Sequence, residues 1–259
     1  MAYEKTVWVN GQAPALDAAH LNKIEQGIAD AVSVTPQTLS DGQKAQARSN
    51  IEVAPAGIAA YHDYEITVEE GQSIQDVINN LPKFGNGYSA IIIIKGTHTE
   101  SVTLDGFCGY SFLWLEFDNN SVLNGSIYVN NCNQLQIGSG GSNRWSQNAG
   151  NNPALILNQG SLVMFGGVTI TTTHVNAIQC NLNSRCVVGG CTITATGTGN
   201  YEGALRTYYG STIRAFDTII SPDTPCGLAA QYGSYIQFNG TNNATTKSVT
   251  YAGGKVENT

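Results

Sequence analysis

Charge is scarce in this sequence. Asp, Glu, Lys and Arg make up 12% of its 259 residues, about half the share of an ordinary globular domain. Long apolar runs are missing too. The longest obvious one, Ile91 to Ile94, is far too short to cross a bilayer, so no membrane insertion is expected. The six Cys contain no C-x-x-C pair, which argues against a zinc site or a disulfide scaffold. No metal and no cofactor are expected. No basic stripe runs through the chain, so nucleic acid is not the expected partner. The net charge of −7 mainly implies solubility. The first ten residues, MAYEKTVWVN, carry Glu4 and Lys5 and lack the apolar core of a secretory signal. The expectation is a protein made in a reducing cytosol.

Gly is abundant, with 29 residues, and Asn, Thr and Ser are frequent. That mix disfavours a helical bundle and suits short strands joined by tight turns. The strands repeat. Segments beginning at Ser126, Ala154, Ala204 and Gly227, with one more at Ala177, keep one rhythm at offsets of 28, 23, 27 and 23 residues in chain order. One slot holds Ile127, Leu155, Ile178, Leu205 and Leu228; two residues on come Val129, Leu157, Cys180, Thr207 and Ala230. After a turn, a third slot holds Leu135, Val163, Cys186, Ile213 and Ile236. A fourth holds Ile137, Phe165, Val188, Ala215 and Phe238. Spacing by two is the strand period, with alternate side chains facing one core.

Between the strands lies a slot with Gly160, Asn183, Gly210 and Gly233. These residues accept a left-handed backbone. Next comes a stack of Asn133, Ser161, Ser184, Ser211 and Ser234. A self-similar strand period in the twenties predicts an all-β fold, a parallel β-helix whose coils rise about 4.8 Å each. An antiparallel sandwich is the alternative, but hairpins would not keep one slot order in one direction. Residues 143–153 and 194–203 lengthen two joints and predict insertions on one face, where solenoids often bind.

Residues 73–81 place Ile74, Val77, Ile78 and Leu81 on one helical face, with Ser73 and Asp76 fitting a capping box. A helix there would cover the open end of the stack. The coils are expected from about 91 to 243, with 244–259 as the carboxy-terminal end. The stretch Gly71, Ser73, Ile74, Gln75, Ile78, then Gly96 and Thr97, resembles the opening segment of pectate-lyase-like β-helix proteins. That resemblance implies a right-handed, single-stranded parallel β-helix over 63–259 and says little about activity.

Residues 1–62 read differently. A helix over Ala15 to Val32 puts Leu21, Ile24, Ile28 and Ala31 on one seam. It covers under two heptads, so it is either a plain surface helix or one that needs partner chains. Residues 8–28, WVNGQAPALDAAHLNKIEQGI, resemble the amino-terminal segment of bacteriophage tail and baseplate proteins. Residues 39–54, LSDGQKAQARSNIEVA, resemble the short linker repeat of phage tail fibres, with Glu52 where Gly is usual. The resemblance implies a virion protein: a homotrimer whose residues 1–60 dock on other tail, baseplate or collar proteins and whose β-helix projects outward.

Many β-helices cleave polysaccharides, which needs paired carboxylates or a carboxylate-held calcium. The regular coils and their joints offer only Glu202, Asp217 and Asp223. Asp217 is expected against Gly190 and Gly240, without an acidic neighbour. Glu202 and Asp223 are weak catalytic candidates in successive joints; solvated loop charges are the simpler reading. Asp105, Glu116 and Asp118 are left for a site at a subunit boundary. The four His (His20, His62, His98 and His174) have no ligand or triad spacing and read as turn or surface residues.

The aromatics point elsewhere. Tyr201, Tyr208, Tyr209, Tyr232 and Tyr235 fall in two neighbouring coils and the long joint, and Trp145 falls in the other insertion. Aromatic faces beside hydroxyls and amides suit sugar rings; subunit packing or surface decoration is the plainer alternative. The expected function is host-surface glycan recognition by a non-enzymatic fibre protein. The rivals are a polysaccharide depolymerase and a purely structural head-fibre, collar or baseplate component.

Overall fold

The predicted columns form. In a computed structural model of the chain, Ile127, Leu155, Ile178, Leu205 and Leu228 are successive parallel partners, each fully buried. The other three columns are equally in register, from Val129 to Ala230 beside the first, and from Leu135 to Ile236 and Ile137 to Phe238 along the next face. The chain divides into two units, Met1–Val53 and Ala54–Thr259. The structure describes residues 59, 60, 62–139 and 144–258. The predicted helix over 15–32 and its seam lie outside the described residues.

The path is a three-faced solenoid. Strand β1 (Tyr64–Val68) and helix α1 (Ile74–Asn80) precede rung 1, made of β2 (Ser89–Ile94), β3 (Thr97–His98) and β4 (Val102–Asp105). Rung 2 is β5 (Phe112–Phe117), β6 (Val122–Leu123) and β7 (Ile127–Asn130); rung 3 is β8 (Leu135–Gly138), β9 (Trp145–Gly150) and β10 (Leu155–Asn158). Rung 4 is β11 (Leu162–Gly166), β12 (Val168–Thr172) and β13 (Ile178–Cys180); rung 5 is β14 (Arg185–Gly189), β15 (Thr192–Ala195) and β16 (Leu205–Thr207). In rungs 6 and 7 the first two faces fuse into one long strand: β17 (Thr212–Ile220) then β18 (Cys226–Gln231), and β19 (Tyr235–Asn242) then β20 (Thr246–Tyr251). Strand β21 (Lys255–Asn258) opens an eighth turn. All pairings are parallel, so β1, β2, β5, β8, β11 and onward make face A, β3 to β15 make face B, and β4 to β20 make face C.

Two boundaries differ from the sequence reading. The stack runs past residue 243, because β20 and β21 pair with β18 and β19. Residues 145–150, expected in an emergent insertion, are strand β9 of face B. Its alternation turns Trp145, Gln147 and Ala149 inward. Trp145 is 1% exposed and stacks flat on Phe117 at 3.8 Å, with Phe165 edge-on at 6.0 Å. Burying three such rings is among the largest local contributions to stability.

The top of the stack is closed by polar side chains as much as by apolar ones. α1 begins where expected: Ser73 Oγ accepts Asp76 N–H at 3.1 Å. Glu100, from the turn before β4, takes Ile74 N–H at 2.7 Å and Gln75 N–H at 3.1 Å. A carboxylate thus satisfies donors that a helix start leaves open. Gln75 then imitates a peptide group: its Oε1 accepts Thr103 N–H at 2.6 Å and its Nε2 donates to Thr103 O at 3.1 Å. The first strand of face C therefore meets a side-chain amide where a preceding rung would be. His98, expected at a turn or surface, is buried between Gln72 O at 3.1 Å and Lys95 O at 2.9 Å.

Candidate functional site

From rung 3 downward the corner from face C to face A has one backbone solution. Two successive residues take positive φ: Leu182 and Asn183 at 53° and 61°, Tyr209 and Gly210 at 49° and 71°, Tyr232 and Gly233 at 51° and 70°. Gln159–Gly160 and Ala252–Gly253 do the same. The second member is Gly or Asn, as the predicted turn slot requires. The first member pays the left-handed cost with an ordinary side chain, which its conformation holds out from the corner. The serine stack follows, with Ser161, Ser184, Ser211 and Ser234 buried. In rung 3 the buried side chain is Cys132, one residue before the expected Asn133, which is exposed.

In the upper rungs this corner is an amide ladder. Asn158 Nδ2 donates to Asn130 Oδ1 at 3.0 Å, and Asn181 Nδ2 donates to Asn158 Oδ1 at 3.0 Å. In the lower rungs the ladder position passes to Tyr208, Gln231 and Tyr251, and the next residue, Gln159 and Leu182 above, becomes Tyr209 and Tyr232. Tyr209 and Tyr232, on adjacent rungs, stack at 5.1 Å with planes 25° apart. Tyr208 meets both edge-on, at 4.1 and 4.7 Å. Tyr251 meets Tyr232 at 5.5 Å and Tyr201 at 5.0 Å. Tyr201, Tyr209, Tyr232 and Tyr251 are among the most exposed large side chains, at 39–53%. Hydrogen bonds with the hydroxyls of Tyr209 and Tyr232 push the Tyr208 phenol well above its ordinary value.

The long joint completes the patch. Tyr201 also has positive φ, 58°, and its carbonyl accepts from Gln231 Nε2. Beside it, Glu202 Oε2 takes Arg206 Nη1 at 3.0 Å and Asn176 Nδ2 at 3.0 Å. The Arg206 guanidinium lies 4.7 Å over the Tyr208 ring, a cation–π contact that fixes one edge of the cluster. A cavity of about 260 Å³, walled by Val175, Thr198, Tyr201, Glu202, Pro225 and Val249, opens at the same joint.

Several predicted site residues fall elsewhere. Trp145 is in the core and offers no face to a ligand. Tyr235 lies on face A, where its hydroxyl is held by Glu257, which raises its pKa, and Lys255 sits 5.8 Å over its ring. Glu202 is committed to Arg206, while Asp223 is exposed and its N–H is held by Ser221 Oγ at 3.3 Å. The contacts of these two carboxylates do not join them into a pair. Asp217 is the unpaired residue of a bulge in β17, and Gly240 pairs with Thr218 instead. Asp105 heads the asparagine ladder opposite Asn130. Glu116 faces outward on β5, its carboxyl raised by partial burial, then by Asp118 and Glu65. Cys180, Cys186 and Cys191 are buried free thiols. Among the described residues no three His, Cys, Asp or Glu side chains form a metal-sized cluster, and no helix is long and apolar enough to cross a membrane.

Tyr251 is the functional candidate missed in the sequence. Its rung has Ser248 and Thr250 opposite Leu228 and Ala230, so the apolar rhythm fades there. The turn signature Tyr251-Ala252-Gly253-Gly254, parallel to Gln231-Tyr232-Gly233-Ser234, is the signal that would have found it. Comparison of the chain with protein-family models, curated proteins and solved structures finds no match.

Proposed function

We propose that the protein is a structural virion protein of a bacteriophage, a tail fibre or receptor-binding appendage, that recognises a host-surface glycan through the tyrosine corner of its β-helix. The observation that carries the binding reading is the pair Tyr209 and Tyr232. Both occupy a strained backbone slot where Gly would cost least, and both are exposed. Left-handed backbone at a bulky residue persists where the surroundings impose it and often marks a functional surface. Their stacked rings, with Tyr208, Tyr201 and Tyr251 alongside, form an apolar platform edged by hydroxyls. A sugar's C–H face stacks on the rings while its hydroxyls bond to the rim.

The virion assignment rests on the two amino-terminal segments, residues 8–28 and 39–54. On that reading, residues 1–60 dock on other virion proteins, the seam Leu21, Ile24, Ile28 and Ala31 joins a homotrimer, and a right-handed coil projects from it. The non-enzymatic reading is supported by Glu202, whose carboxylate already serves Arg206 and Asn176. A glycan array probed with the full chain tests recognition: selective binding of one glycan class is expected. Binding to none favours the purely architectural rival, a collar, head-fibre or baseplate component. Release of reducing ends from the bound glycan favours a depolymerase.

A further inference from the structure

A second groove lies at the opposite edge of face A. Its floor is the backbone of Gly138, Gly166 and Gly189, consecutive partners in the ladder. These glycines have a structural reason. A Cβ on Gly138 or Gly166 would sit 2.6 Å from the carbonyl oxygen of the next rung, and one on Gly189 would strike the Phe216 ring at 2.5 Å. The bare corner leaves a cavity of about 340 Å³, the size of a small-ligand pocket. Its walls are what the backbone does not explain. Met164 and Phe216 are about half exposed, at 49% and 48%. Arg144 reaches along the corner from rung 3 to rung 5, where Nη1 donates to Gly190 O at 3.1 Å. Gln136 and Ser139 add polar rim.

Charge identifies the ligand class. The protein carries a net −7, yet the outward positions of β8, β11, β14, β17 and β19 bear Arg185 and Arg214 and a single carboxylate, Asp217 at the bulge of β17. Among the described residues Arg144 is the one charged side chain lining the groove. The nearest carboxylates on face A are Glu116, one rung above Gly138, and Asp217 on the β17 bulge. We propose that this groove binds an anionic sugar residue, its carboxylate on Arg144 and its ring face on Phe216. Glu116 sets the polarity: the ligand's carboxylate lies toward Gly190, away from the top. A second copy of this chain fits less well, since a like face would bring Arg185 and Arg214 against their own kind.

The site is independent of the tyrosine corner, so the two are tested separately. The probes are a tetrasaccharide of alternating glucuronic acid and N-acetylglucosamine and its carboxyl-reduced counterpart, titrated calorimetrically into the full chain. The acidic probe is expected to bind at least about tenfold tighter, the scale of one charge-assisted hydrogen bond. Arg144→Gln should erase that ratio, and Phe216→Ala should weaken both probes. Tyr209→Ala with Tyr232→Ala should leave the ratio intact. Equal binding of the two probes, a ratio that survives Arg144→Gln, or a ratio lost in the tyrosine variant would overturn the assignment. So would a wild-type chain that binds neither probe and whose mass by light scattering falls on Phe216→Ala, which would give the groove to a second copy. Melting curves on each variant exclude misfolding as the cause.

Discussion

The upper and lower halves of one corner teach the most about this chain. From Asn158 downward both use the same pair of left-handed residues and the same buried serine step. Above, Asn130, Asn158 and Asn181 satisfy one another in an amide ladder and leave little for a partner. Below, Tyr208 and Tyr251 take the ladder position, and Tyr209 and Tyr232 take the next one, where Gln159 and Leu182 sit above. The rings pack on one another with Tyr208 hydrogen-bonded to Tyr209 and Tyr232, and all but Tyr208 are exposed. The backbone is indifferent to the exchange, so the difference between the halves lies in what the side chains do. Amides that close on themselves hold the stack; aromatic faces left open offer a surface.

Breaking the lower half should cost recognition rather than stability. Tyr209→Ala with Tyr232→Ala is expected to weaken binding of the array-selected glycan about a hundredfold, as loss of paired aromatic anchors does. Breaking the upper half should do the reverse. Asn158→Ala removes a donor and an acceptor from the middle of the ladder and should lower unfolding free energy by about 2 kcal/mol, with glycan affinity unchanged. Denaturant titration and calorimetry on the same samples check both.

Leu182 sharpens the contrast. It holds the Tyr209 slot one rung above, with φ 53° and half its surface exposed. Leu182→Gly should stabilise the protein by about 0.5–1 kcal/mol, the left-handed strain relieved less the entropy of Gly. The same change at Tyr209 should give a smaller gain, because ring contacts are lost with the strain.

The smallest effect lies outside both halves. Burial pushes the Tyr110 phenol from 10.0 up to about 12, with Tyr64 adding, while its hydroxyl donates to Pro82 O at 2.6 Å. Its folded pKa is raised, so its contribution is whole below pH 10 and is lost as pH climbs toward about 12. Tyr110→Phe should flatten that alkaline limb of a pH-melting series.

The interior columns were legible because like stacks on like: Leu155, Ile178, Leu205 and Leu228 show the inward slot without any structure. What failed was the count of faces. A template of two strands per coil treated β9 as an insertion, so the inward alternation of Trp145, Gln147 and Ala149 was passed over and Trp145 was assigned to the surface. Tyr208, Tyr209 and Tyr232 were found because the turn glycines fix their register. Tyr251 was missed because the last rung puts Ser248, Thr250 and Asn258 where upper rungs put apolar residues. The Glu100 and Gln75 contacts that close the top span about one coil, a relation no local pattern displays.

The most direct test labels the tyrosine rings with 13C and follows all 12 tyrosines by NMR as the array-selected glycan is added. Shifts concentrated in Tyr201, Tyr208, Tyr209, Tyr232 and Tyr251, with Tyr64, Tyr88, Tyr110 and Tyr128 unmoved, are the predicted result. Saturable binding that leaves those five signals in place would contradict the account.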